Sequence, residues 1–100
     1  MVVVFGESAN IRAIEGIRTT LLEAFQLHDD LELDVSQVAE ADLSFLQLIE
    51  AARKFAATEG KRIRLTAPAT ASLAALLDRA GILAGDPAGI DDFWLKGDVQ

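Results

Sequence analysis

The chain has 100 residues, 51% hydrophobic and 25% charged, with nine Lys and Arg against sixteen Asp and Glu, for a net charge of −7. That length and composition predict a single domain over residues 1–100, folded around one core and burying roughly 60–70% of its unfolded surface. The acidic balance argues against a nucleic-acid partner, which needs clustered Lys and Arg, and the absence of cysteine excludes disulfides and thiol catalysis.

Val2-Val3-Val4-Phe5, stopped by Gly6, reads as a buried strand. It is too short for a signal-peptide core, and no run approaches the ~20 apolar residues of a membrane span. The expectation is a soluble, cytoplasmic protein without membrane insertion. Residues 7–10 read as a loop in which Ser8 or Asn10 caps a helix. From residue 11 to 26, Ile14, Ile17, Leu21, Leu22 and Phe25 recur at helical spacing. Leu31, Leu33 and Val35 alternate with Glu32 and Asp34 as a second strand, and residues 36–40 read as a loop. A second helix is predicted over 43–58, with Leu48, Ile49 and Phe55 in the core and Gly60 beyond its end.

Ile63 and Leu65 alternate with Arg62, Arg64 and Thr66 as a third strand. Pro68 is placed to start a third helix that carries Leu73 and Leu77 and ends at Gly81. Residues 85–89 are turn-rich, and Phe93-Trp94-Leu95 reads as an edge strand or a segment packed on the sheet. Strands alternating with helices in the order β-α-β-α-β-α-(β) imply an α/β fold: a small mixed sheet packed with helices, its parallel pairs joined by crossovers. The lone tryptophan, Trp94, is expected to pack on the domain and hold the tail of residues 84–100; the alternative is an exposed anchor.

Few residues suggest chemistry. No glycine-rich phosphate loop is present. His28, the only histidine, lies in a polar turn with no nucleophile to serve, so it reads as a solvent-exposed loop residue and the chain as a non-enzyme. Asp29-Asp30 and Asp91-Asp92 offer too few ligands for a metal, and no cofactor is expected. Arg53-Lys54 and Lys61-Arg62-Arg64 read as solvated surface. The informative stretch is Ala41-Asp42-Leu43-Ser44-Phe45-Leu46, at a strand-to-helix junction. The plain reading makes Asp42 a helix cap and Ser44 a neutral first-turn residue. The sharper reading adds a phosphate on Ser44, or a partner docked there, because first-turn N–H groups have no intrahelical partner and the dipole favours negative charge.

These residues resemble a STAS domain, the family of anti-sigma factor antagonists and of the cytoplasmic domains of sulfate transporters. Leu33-Asp34-Val35-Ser36 is similar to the family's strand end, and Asp42-Leu43-Ser44-Phe45-Leu46 stands where the family has Asp-Ser-Ser/Thr-Gly-Leu. Gln47 to Lys54, Gly60 to Leu65 and Ala80-Gly81-Ile82 also fit, so that the resemblance covers about residues 2–83. It implies a partner-switching regulator whose phosphorylatable residue is Ser44, with Asp42 shaping the corner and Leu43, Phe45 and Gln47 as contacts. The implied partner is an anti-sigma-type serine kinase or a related signalling ATPase. The resemblance allows a second role, as a STAS subunit supporting the ATPase of a lipid-type ABC transporter.

Two residues depart from the family pattern: Leu43 replaces the first motif serine and Phe45 the glycine. Exposed, they are apolar anchors; buried, they close the corner and leave Ser44 silent. A single strand also precedes the first helix, where many relatives have a hairpin, leaving a shorter sheet edge that suits a homodimer.

Overall fold

The computed structural model describes residues 1–79 and Trp94. The elements follow as β1 (Val2–Val4), β2 (Ser8–Ala9), α1 (Ile14–Leu27), β3 (Asp30–Asp34), β4 (Glu40–Ala41), α2 (Leu43–Thr58), β5 (Arg62–Leu65) and α3 (Ala71–Arg79). The third-helix end at Gly81, the 85–89 turn, Asp91-Asp92, Phe93 and Leu95 lie outside the described residues.

The α/β layering predicted from the alternation of strands and helices is present. β1, β3 and β5 form one sheet in that order, with β3 central. Among the described residues every pairing is parallel rather than mixed. Parallel neighbours need a long crossover, and α1 and α2 supply the two that join these strands. One sheet face carries Val3, Phe5, Leu31, Leu33, Val35, Ile63 and Leu65, all buried. The other face shows Val2, Val4, Glu32, Asp34, Arg62 and Arg64. Register explains its charges: Asp30 lies opposite Arg62 and Glu32 opposite Arg64. The resulting ion pairs measure 3.8 Å for Arg62–Asp30 and 2.7 Å for Arg64–Glu32. Exposed pairs of this kind contribute at most about 1 kcal/mol each. Lys61 Nζ similarly reaches Asp29 at 2.9 Å, so the acidic pair 29–30 and the basic run 61–64 neutralise each other.

α2 follows the prediction over 43–58. Its buried stripe is Phe45, Leu46, Ile49, Ala52 and Ala56. Phe55, expected in the core, is 40% exposed, because it lies one position off that stripe and instead packs against the Phe25 ring at 5.2 Å. Leu22 is also exposed, while Ile14, Ile17 and Leu48 are partly buried at the core's edge. Gly60 ends α2 with φ of +68°, and the next N–H, of Lys61, donates back to the Ala56 carbonyl at 2.8 Å. That reversal uses the left-handed region that glycine enters without a Cβ penalty.

The starts of α1 and α3 lie beyond the positions that the sequence pattern indicates. α1 begins at Ile14, not residue 11. Asn10 caps a preceding turn, its Oδ1 accepting from Arg12 N at 3.1 Å and its carbonyl from Ala13 N at 2.9 Å. α3 begins after Thr70, whose Oγ1 accepts from Leu73 N at 3.4 Å, three residues beyond Pro68.

Trp94 is fully buried, as the packing expectation required. Its indole Nε1 donates to Glu50 Oε2 at 2.8 Å, and its carbonyl accepts from Ala69 N at 2.7 Å. Glu50 also receives Arg53 at 2.8 Å, which satisfies the carboxylate beside a buried ring.

Candidate functional site

The corner at the start of α2 lies beyond the carboxyl end of β3, where ligands and partners of open α/β sheets characteristically bind. Two aspartates shape it in the same way. Asp34 Oδ1 accepts from Ser36 N at 2.9 Å and Ser36 Oγ at 2.6 Å. Asp42 Oδ1 accepts from Ser44 N at 3.1 Å and, in a very short hydrogen bond, from Ser44 Oγ. Each is an Asp-x-Ser turn closed by the serine. Only the second opens a helix.

Asp42 makes one contact that the sequence did not signal. Its other oxygen, Oδ2, accepts from Ile11 N at 2.9 Å, across 31 residues. Next to it, β2 and β4 form a two-stranded parallel sheet, with Ser8 opposite Glu40 and Ala9 opposite Ala41. Both stretches were expected to be loops. Two-residue strands carry no readable periodicity, and an acceptor for a backbone N–H leaves no trace in the side chain of Ile11.

The structure separates the two residues that depart from the family pattern. Leu43 is 47% exposed, whereas Phe45 is fully buried. The expectation that Phe45 contacts a partner is corrected: at the position after Ser44 the helix turns its side chain inward, edge-on to Phe5 at 5.6 Å and 81°. Ser44 is half-buried and Gln47 exposed. Ile11, 63% exposed, is a second apolar side chain held to this corner. His28 is exposed, away from Ser44 in the α1–β3 turn.

The expectation that free N–H groups at the helix start await a phosphate also changes. Ser44 N is taken by Asp42 Oδ1, and Phe45 N and Leu46 N reach the Asp42 carbonyl at 3.1 and 3.4 Å. The helix is already capped by its own anion. An incoming phosphate must face solvent or displace Asp42.

Asp42 is held below its ordinary value of 3.8, chiefly by the Ser44 hydroxyl, with the N–H groups of Ile11, Phe45 and Ser44 adding to this and burial opposing it. Asp34 is lowered likewise, first by the Ser36 side chain. The sign follows from linkage. A carboxyl depressed in the folded state contributes stability above its unfolded value and loses it as pH falls through the folded value. The destabilisation caused by Asp42→Asn should therefore be complete at neutral pH and shrink once the pH drops below 3.8. Ser44→Ala should move the Asp42 titration, followed by carboxyl-carbon NMR, back toward the ordinary value. An unmoved titration would show that the hydroxyl does not hold the carboxylate.

A cleft of about 360 Å³, lined by Asp30, Glu32, Arg53, Lys61, Arg62 and Arg64 among others, lies by the opposite end of the sheet. Its basic groups meet Asp29, Asp30, Glu32 and Glu50, so it is no ready anion site. Among the described residues no group of three or more His, Cys, Asp or Glu is arranged to hold a metal, and no helix is long and apolar enough to cross a membrane.

No curated protein and no solved structure matches the chain significantly. A family model described as "Mlab, STAS domain" matches residues 2–84, most of the chain and all of the corner just described. With the β-α-β-α-β-α order and the capped Asp-x-Ser turn at the head of α2, that match places the chain in the STAS domain family.

Proposed function

We propose that this STAS protein is a non-enzymatic, partner-switching regulator that docks through the start of α2 on an anti-sigma-type serine kinase or a related signalling ATPase, with Ser44 as the phosphorylated residue. The observation that carries the reading is the juxtaposition at one helix start of an exposed leucine, Leu43, and a partly accessible hydroxyl, Ser44. Leu43 offers the partner an apolar anchor, and Gln47, one helical turn on, offers a polar contact on the same side. In the modifying step the Ser44 oxygen bonds to the terminal phosphorus of ATP as the bridging P–O bond breaks. ADP leaves with the bonding electrons, and the hydroxyl proton passes to the kinase's base. The product adds about −1.5 to −2 charges to the docking corner, beside the Asp42 carboxylate.

The non-enzymatic reading is supported by the same geometry. Asp42, whose carboxylate accepts from the Ser44 hydroxyl, is held at lowered pKa, which makes it a weak general base.

A second reading has its own support. Leucine in place of the first motif serine makes part of the contact independent of phosphorylation, which suits a permanent subunit supporting the ATPase of a lipid-type ABC transporter. Site-specific photocrosslinkers at Leu43, Gln47 and the distant Thr58 test both. Crosslinks from Leu43 and Gln47 to a nucleotide-binding protein, with none from Thr58, are expected. A soluble kinase as the product supports the first reading, a membrane ATPase the second, and crosslinks equally strong from Thr58 would contradict docking at this corner.

A further inference from the structure

We propose that Asp42 is a positioning residue that couples the state of Ser44 to the segment of residues 10–13, so that modifying Ser44 rearranges the approach to α1 as well as the start of α2. The consequence for partner binding rests on the docking reading above; the coupling itself does not.

One carboxylate ties three groups together. Oδ1 holds the N–H and the hydroxyl of Ser44, and Oδ2 holds the N–H of Ile11. A further side-chain link from the 10–13 segment to this corner, Asn10 Nδ2 to Glu40 Oε2, is long at 3.5 Å. Within the segment Arg12 N donates to Asn10 Oδ1 and Ala13 N to the Asn10 carbonyl, while the Ala13 carbonyl accepts from Ile17 N at 3.1 Å at the start of α1. The segment is thus a small preformed turn between β2, whose Ala9 pairs with Ala41 of β4, and α1, and Asp42 ties it to the head of α2 through Ile11 N.

Phosphorylation removes the Ser44 hydroxyl donor and puts a second anion where one already caps the helix. Two anions repel at this distance and compete for one set of N–H groups. Asp42 yields by rotating, since it is the shorter anion and its second oxygen is held by only one exposed N–H. Rotation releases Ile11 N. Ile11, an exposed apolar side chain, then loses its fixed place beside the docking corner. The switch would act through shape as well as charge.

The test uses the free protein. Exchange of the Ile11 amide with water is measured by NMR in the wild type, Ser44→Ala, Ser44→Asp and Asp42→Asn, with the Ala13 amide as the internal reference. A lost hydrogen bond to a charged group should speed Ile11 exchange at least about tenfold in Ser44→Asp and Asp42→Asn, with Ala13 unmoved. Ser44→Ala, which removes a donor without adding charge, should give a smaller rise. Asp42→Asn keeps a capping oxygen, so α2 remains formed while a single amide oxygen serves Ser44 or Ile11 but not both. Ile11 exchange unchanged in Ser44→Asp overturns the coupling, whatever Asp42→Asn shows. If the partner releases Ser44→Asp while Ile11 is unmoved, the coupling falls and the docking reading stands. If Ile11 responds while the partner binds Ser44→Asp as tightly as wild type, the coupling stands and the docking reading falls.

Discussion

Truncating Phe45 to alanine should cost about 3–5 kcal/mol of folding stability, the range for deleting a fully buried aromatic ring and leaving a cavity. Phe45 has no exposed surface and meets Phe5 edge-on at 5.6 Å, so the loss combines transfer, cavity and aromatic contact. Urea unfolding of the two proteins measures it. A loss below about 1 kcal/mol would mean that the ring is not packed as described. The folded fraction of Phe45→Ala should still bind the partner, because the ring does not reach the surface from which Leu43 projects. The same site in the family pattern is a glycine. Here the ring fills the core behind the corner, and Phe45→Gly should destabilise further, since glycine also weakens a helix by about 1 kcal/mol relative to alanine.

Ser44→Asp should weaken partner binding at least about 100-fold, with Ser44→Ala close to wild type. The free protein should tolerate the charge better than the complex does. At an exposed helix start an added anion gains about 0.3–1 kcal/mol from the dipole, and here Asp42 opposes that gain by repulsion. Once a partner packs on Leu43, the new carboxylate loses its water, and Asp42 already accepts from the N–H groups of Ser44, Phe45 and Leu46. An unpaired charge buried in this way costs several kcal/mol, well beyond the tenfold that each 1.4 kcal/mol represents. Leu43→Ala separates packing from charge: it should reduce affinity in both phosphorylation states without restoring binding to Ser44→Asp.

Much of this architecture is written in local patterns. The i, i+3, i+4 spacing of α2 and its glycine stop placed both ends of that helix, and strict alternation identified β3 and β5. Asp42 was readable as a cap because an acidic residue directly precedes an apolar helical run. What escaped depends on residues far apart in the chain. β2 and β4 are two residues each and exist only because Ser8 lies opposite Glu40 and Ala9 opposite Ala41. The bond from Ile11 N to Asp42 Oδ2 needs the folded sheet to bring it about. Phe55 was misplaced because helical spacing leaves its side in doubt by one position, and Phe25, not the sheet, receives it. Leu43 and Phe45 were read together as both exposed or both buried. Two positions apart on a helix they point in different directions, and only packing shows which faces inward.

The most direct test of the account is isothermal titration of the nucleotide-binding partner, identified by crosslinking through Leu43, with the unmodified chain and with the chain phosphorylated at Ser44. Docking at the head of α2 under control of Ser44 predicts that the phosphate weakens binding at least about 100-fold. Equal affinities for the two forms would contradict it and leave Ser44 as the serine that closes an aspartate cap.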